Sequence, residues 1–206
     1  MERYVITIAR GFGSGGKTIG KMLSEQLGIE YYDRDLIRIA SEDSGIHVRL
    51  FGRVDEQIKR GLFKRRKSTY KGDAPLSPES DDFTSDQNLF KIQAKIIKEL
   101  AEKESCIIVG RCADYVLRGY PNVTRVFIFA SKQSCIDTVV RLYGETPKEA
   151  AKIIERTDRE RSSYYRHHTG HEWDNARNYD LCLDSSELGF DKCVEIIKEY
   201  IRIKNG

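Results

Sequence analysis

Apolar positions along this chain follow two periods in turn. Tyr4-Val5-Ile6-Thr7-Ile8-Ala9 is a short run of β-formers, and a glycine-rich turn comes straight after it. From Lys17 to Leu27 the spacing becomes helical: Ile19, Met22, Leu23 and Leu27 share one face, and Gly28 ends the segment. Tyr31-Tyr32-Asp33 reads as a short extended piece, and Leu36, Ile37, Ile39 and Ala40 lie on a second helix. Asp86 reads as a helix cap, followed by an apolar face of Leu89, Ile92, Ile96, Ile97 and Leu100. Ser105 to Val109 and Val123 to Ala130 are rich in Val, Ile and Phe, as strands buried on both faces are. Ser131 and Pro147 open further helices, Tyr179 to Leu183 is a last strand, and Phe190 to Ile203 is a closing amphipathic helix. Strands alternating with helices predict an α/β fold, a parallel sheet covered on both faces.

The stretch from Ser41 to Asp86 breaks the pattern. Seven lysines and arginines fall between Lys59 and Lys71 without an acid, and Pro75, Pro78 and an Asp/Ser/Glu-rich run follow. The expectation is short helices near 47–60 and a mobile loop near 64–85. The chain thus divides as one domain over 1–206. Its core is 1–34, 86–146 and 178–206, with a helical insertion over about 35–85 and a lid over about 147–177.

Composition bounds the partners. A length of 206 residues suits one α/β domain with a substantial core. The net charge of +3 is too weak to argue for nucleic acid. The basic run could bind RNA or a phosphorylated partner, but it carries only Phe63 and Tyr70 as aromatics, which favours a solvated loop or extra charge drawing in anionic substrates. No apolar run reaches the ~20 residues of a membrane span, and Met1-Glu2-Arg3-Tyr4 has no signal-peptide stretch. The five cysteines include no CxxC pair and read as reduced thiols, so the expected location is the cytoplasm. Oligomeric state is not legible.

The chemistry starts at the turn. Gly11-Phe12-Gly13-Ser14-Gly15-Gly16-Lys17-Thr18 fits G-x-x-x-x-G-K-[ST], between a predicted strand and a predicted helix. Glycines let backbone N–H groups converge on phosphate oxygens, and the helix start adds its positive end. Lys17 is expected to reach the β- and γ-phosphates of ATP, and Thr18 to bind Mg²⁺. The strand Cys106 to Val109 ends in Gly110-Arg111 where many ATPases place a carboxylate, so Mg²⁺ would lean on Thr18 and Asp33. Asp33 follows an apolar strand, the usual place for a site residue; Asp35 reads equally as a helix N-cap. The helix around Glu155-Arg156-Thr157-Asp158-Arg159-Glu160-Arg161 is dense in arginine. Arg156, Arg159 and Arg161 are expected to point guanidinium groups at the transferring phosphate, or else to form a solvated face with the intervening acids. His167, His168 and His171, with Tyr164, Tyr165 and Trp173, read as aromatic packing behind the lid or as a polar lid surface, and not as a metal site. Asp184-Ser185-Ser186 borders either the adenine site or a turn into the last helix.

Ile6 to Lys17 resembles the opening of the cytidylate kinase-like proteins. The similarity continues through Tyr32-Asp33, Ile108-Val109-Gly110-Arg111-Cys112-Ala113-Asp114, the Arg156 to Arg161 helix and Asn178-Tyr179-Asp180-Leu181. The resemblance implies a P-loop fold with a five-stranded parallel sheet, a nucleoside-monophosphate-binding insertion and a closing lid. It implies ATP-dependent phosphorylation of a monophosphate, with Arg111 on the acceptor and lid arginines on phosphates. Two departures stand out. Bacterial cytidylate kinases read Gly-Arg-Asp where this chain has Gly110-Arg111-Cys112, with Asp114 two residues on. At Asp33 they read Asp-[ST]-Gly, whereas Asp33-Arg34-Asp35 is more similar to shikimate kinase and some nucleoside kinases. The sequence therefore supports a kinase acting on a small phosphate-bearing acceptor, with Asp33, Arg111 and Asp114 on the acceptor. A kinase for another small-molecule hydroxyl acceptor, and a nucleotide-binding sensor or RNA-associated protein with little turnover, are the alternatives.

Overall fold

A computed structural model describes residues 3–33, 35–51 and 69–205. Five strands form one parallel sheet: β1 (Val5–Arg10), β2 (Glu30–Tyr32), β3 (Cys106–Val109), β4 (Val123–Phe129) and β5 (Leu181–Asp184), in the order β2-β3-β1-β4-β5. The central pairs place Ile8 beside Val109 on one side and beside Val126 on the other. The helices are α1 (Gly16–Leu27), α2 (Asp35–Ser44), α3 (Asp86–Lys103), α4 (Ala113–Val116), α5 (Lys132–Tyr143), α6 (Pro147–Thr169) and α7 (Ser185–Asn205). A further helical turn is present at 48–51.

Strand periodicity explains why the core has two halves. Val5, Cys106 and Ile108 face a cluster with Leu36 of α2, Phe51 of the 48–51 turn, and Leu89 and Phe90 of α3. Ile6, Ile8, Ile107, Val109, Val126 and Ile128 face the other way, onto Ile19 and Leu23 of α1 and Val194 and Ile197 of α7. A smaller cluster of Cys135, Val139, Ala150 and Ile154 joins α5 to α6 and takes in Phe12. No helix among the described residues is long and apolar enough to cross a membrane. All five cysteines carry free thiols, and all but Cys182 are buried.

Local chemistry moves several expected boundaries. The cap of α3 is Ser85, whose Oγ accepts from the Asn88 N–H, while Asp86 is the first helical residue. Serine caps well because its short side chain reaches back to the orphan amide. Helix α7 starts at Ser185, earlier than expected, and runs through a break at Gly189 (φ 75°, ψ 165°). Most of the basic run and of the 47–60 segment lies outside the described residues. The described part of the expected loop, 69–85, is turns and extended backbone fastened at three points. Tyr70 N–H donates to the His168 carbonyl at 2.7 Å, Leu76 N–H donates to Asn88 Oδ1 at 2.6 Å, and Asn88 Nδ2 donates to the Phe83 carbonyl at 2.7 Å. Side-chain polarity predicted a loop, but the buried Asn88 supplies partners the periodicity does not show.

Candidate active site

The carboxyl ends of neighbouring strands open into one cleft of about 640 Å³. In open parallel sheets ligands bind outside these ends. The glycine loop forms its floor. Gly13 (φ 85°) and Gly15 (φ 78°) both take left-handed backbone. A Cβ on Gly13 would lie 2.7 Å from the Cys135 carbonyl, and one on Gly15 would lie 2.3 Å from the Phe190 ring. The glycines thus serve the packing of the loop, beside the close approach to phosphate expected of them. Ser14 is fully buried; its hydroxyl hydrogen-bonds the Gly11 carbonyl at 2.9 Å and the Ile128 carbonyl at 3.1 Å. It shapes the loop and does not line the cleft. Gly11, Gly13, Gly15, Gly16, Lys17 and Thr18 do line it.

Lys17 lies in the first turn of α1, and its Nζ lies 2.5 Å from Asp33 Oδ2. Asp33 follows β2 directly, so it stands one strand beyond β3 and still reaches the loop. Asp35 has turned away: it begins α2, is exposed, and lies 3.8 Å from Arg38. At the end of β3 the backbone turns sharply through Gly110 (φ 78°), Arg111 (φ 59°) and Cys112 (φ 55°). Two consecutive non-glycine residues in this region are strained, and such strain concentrates at functional sites. The turn brings Arg111, Cys112 and Asp114 to the cleft. Asp114 is buried, and its Oδ2 accepts the Tyr165 hydroxyl at 2.6 Å. Burial pushes its carboxyl up to about 6, against the pull of that hydrogen bond. The Tyr165 phenol is raised strongly, first by burial and then by Asp114, and stays protonated.

Helix α6 closes the opposite side, and it divides the three expected arginines. Arg161 donates to the Arg10 carbonyl at 2.9 Å and to Asp158 at 3.3 Å, with its guanidinium 5.4 Å from the centre of the Phe12 ring. Arg156 and Arg159 are exposed and lie in a shallow groove with Glu149 and Lys152, so the structure does not bring them to the cleft. The reason is helical pitch: residues five and two positions away sit roughly 140° and 200° around from Arg161.

Several site residues were not legible in advance. Asp158 accepts the Phe12 N–H at 2.9 Å, latching α6 to the glycine loop. Burial raises its carboxyl, while Arg161 and the Phe12 N–H oppose that rise. Tyr143 stacks on Phe12 with ring centres 6.0 Å apart. Arg10 ends β1 beneath the loop; a charged residue closing an otherwise apolar strand was the available signal. The histidines pack as expected: His168 is buried and stacks on Phe90 at 4.1 Å, and burial lowers its pKa well below the ordinary value. No group of three or more His, Cys, Asp or Glu placed to hold a metal occurs among the described residues. Asp184-Ser185-Ser186 forms the turn into α7: Asp184 accepts from Ser186 N at 2.9 Å, and Ser185 Oγ donates to the Ser14 carbonyl at 2.7 Å.

The sequence pattern of the cytidylate kinase-like family matches residues 5–187. The chain belongs to the cytidylate kinase-like family. A cytidylate kinase from Archaeoglobus fulgidus is 24% identical over 97% of this chain and 95% of its own length. An S-adenosylmethionine-dependent nucleotide dehydratase from Lacinutrix mariniflava is 23% identical over 98% of this chain, which spans only 36% of that protein. Among solved structures, a protein from Eubacterium ventriosum superposes with a TM-score of 0.71 at 26% identity, covering 97% of this chain and 99% of its own. Shikimate kinase from Bacteroides thetaiotaomicron shares the fold, with a TM-score of 0.52 at 14% identity over 97% and 98% of the two chains. The fold is that of P-loop kinases.

Proposed function

We propose that this protein transfers the terminal phosphoryl group of ATP to a phosphate-bearing acceptor, a nucleoside monophosphate. The observation that carries this reading is a single cleft in which the phosphate loop with Lys17 faces further cations, Arg10, Arg111 and Arg161. A site for one triphosphate needs the loop; the extra guanidinium groups suit a second anion. Two curated relatives bear names concerning nucleotides, a cytidylate kinase and a nucleotide dehydratase, which favours a nucleotide acceptor.

In this reading the loop N–H groups and Lys17 hold the donor phosphates, and Arg161 stabilises charge on the transferring oxygens. Arg111 and Asp114 bind and orient the acceptor. A monophosphate is already anionic at neutral pH, so alignment and charge stabilisation suffice without a strong base. Thr18 and Asp33 both line the cleft, and their hydroxyl and carboxylate are hard oxygen donors of the type Mg²⁺ takes. They would hold the ion, which would neutralise charge between the phosphates. Arg156 and Arg159 have no part in this reading.

The test is ADP release with CMP, UMP, AMP, GMP and the matching nucleosides, for the wild type and Arg111→Ala. Monophosphates should exceed nucleosides, and Arg111→Ala should raise the acceptor KM or lower kcat by about 10-fold or more. Faster turnover with nucleosides, or an indifferent Arg111→Ala, sinks the acceptor assignment.

A further inference from the structure

Arg10 has a side chain whose position the fold alone does not explain. It leaves the end of β1, passes Gly16, and lays its guanidinium against Gly110 at the end of β3. A Cβ on Gly16 would fall 2.5 Å from Arg10 Cβ, and one on Gly110 would fall 2.4 Å from Arg10 Nη1. Glycines at both points keep this channel open. Only 15% of the side chain is exposed, and it opens into the cleft. The buried Nε has no hydrogen-bond partner.

The available counter-charge is poor. Asp33 is 3.9 Å from Arg10 but 2.5 Å from Lys17, which takes the nearer share. Asp158 is engaged with the Phe12 N–H and Arg161. Among the described residues that line the cleft, five cations, Arg10, Lys17, Arg111, Arg141 and Arg161, meet three carboxylates, Asp33, Asp114 and Glu160. Burial pulls the Arg10 pKa down to about 10, and Arg161 and Arg111 add to that fall against Asp33. A guanidinium desolvated beside like charges is costly unless an anion completes it. A purely structural role does not account for it either. The contact that ties Arg10 to α6 uses its backbone carbonyl, which any residue supplies.

We propose that Arg10 is a specificity-determining residue whose guanidinium binds the acceptor's phosphate, between the glycine loop and the Arg111 turn. The assignment to the acceptor follows from position: the guanidinium lies outside the cradle of Gly11 to Thr18, against the β3 end that carries Arg111. It rests on the phosphate-bearing-acceptor reading given above and names the group that recognises that phosphate.

Trp173, the chain's single tryptophan, lines the cleft, so its fluorescence is the probe for binding. Wild type, Arg10→Gln and Arg10→Lys are titrated with CMP and separately with ATP. Inorganic phosphate is then titrated into protein saturated with a non-hydrolysable ATP analogue, which fills the loop. Arg10→Gln should weaken CMP about 10- to 100-fold, the range for a hydrogen-bonded charge, and leave ATP within about twofold. Arg10→Lys, which keeps the charge and loses the fork, should fall between. Unchanged CMP affinity in Arg10→Gln, or a loss confined to ATP, overturns the proposal. If wild type binds no CMP, UMP, AMP and GMP take its place in turn; if none binds, the nucleotide reading fails by itself and the phosphate titration decides for Arg10. Phosphate binding lost in Arg10→Gln upholds the proposal; phosphate binding that is absent or indifferent to the variant overturns it. Should Arg10→Gln not fold, Arg10→Lys carries the same comparisons.

Discussion

Lys17 is in an ion pair with Asp33, 2.5 Å away, which holds at the cleft the ammonium proposed to meet the donor phosphates. Its side chain is 44% exposed and carries little of the core. Lys17→Met should therefore lower turnover by more than ~100-fold, or ~3 kcal/mol of transition-state stabilisation, with Tm almost unchanged. Wild-type turnover in that variant would remove the phosphate-loop reading altogether. Asp114 tests the acceptor side through pH. Its folded pKa of about 6 lies above the ordinary carboxylate value, so between about pH 4 and 6 the folded state binds more protons than the unfolded one. Stability from this group is thus present at low pH and lost as pH rises through 6, by about 3 kcal/mol. Asp114→Asn keeps an acceptor for the Tyr165 hydroxyl and removes the titration. It should be more stable than wild type at pH 7.5, with the gap closing by pH 4. Denaturant melts across that range check it, and a pH-independent gap would contradict a buried titrating carboxyl.

The elements show how far sequence reading reaches. Arg161→Ala should reduce kcat at least about 10-fold, whereas Arg156→Ala and Arg159→Ala should stay within about twofold, because only Arg161 meets the loop. Equal losses for all three would mean that α6 rotates during turnover. The arginine-rich stretch was visible in the sequence, but the choice among its members depends on which face α6 presents. The tertiary contacts of Asp158 and Ile154 set that face. The sheet and the phosphate loop were legible because both rest on local pattern: apolar runs, and a glycine spacing with a lysine at a fixed offset. Arg10 and Asp158 were not, since a lone charge near a strand end or within a charged helix has many ordinary explanations. Glycine spacing also hid a second role. Gly13→Ala meets a backbone carbonyl at 2.7 Å from a left-handed position and should cost about 2–4 kcal/mol of stability. Gly11→Ala, whose nearest atom would be 3.8 Å away, should cost less than about 0.5 kcal/mol. Thermal melts of the pair separate loop packing from phosphate approach.

Across the whole molecule, stability is distributed unevenly along α6. Its C-terminal half enters the large core: Tyr165 is buried, and His168 stacks on Phe90. Its N-terminal half rests on the four-residue cluster of Cys135, Val139, Ala150 and Ile154. Two polar ties beside the cleft, Asp158 to Phe12 N–H and Arg161 to the Arg10 carbonyl, complete its seat. Local opening follows low burial, so the 147–157 half should open at lower free energy than the 161–169 half. In the proposed reaction cycle both ends of this helix must hold still while the phosphoryl group passes, and donor and acceptor together bridge the loop to α6. Amide hydrogen exchange is the measurement. In the free protein, 147–157 and the Phe12 amide should exchange faster than 161–169. With an ATP analogue and CMP both saturating, the difference should shrink, since ligands that bind only the closed arrangement stabilise it by about 2.7 kcal/mol at 100-fold excess over Kd. A uniform exchange rate along α6 in the free protein would show that the helix is one rigid part of the core and does not close over the cleft.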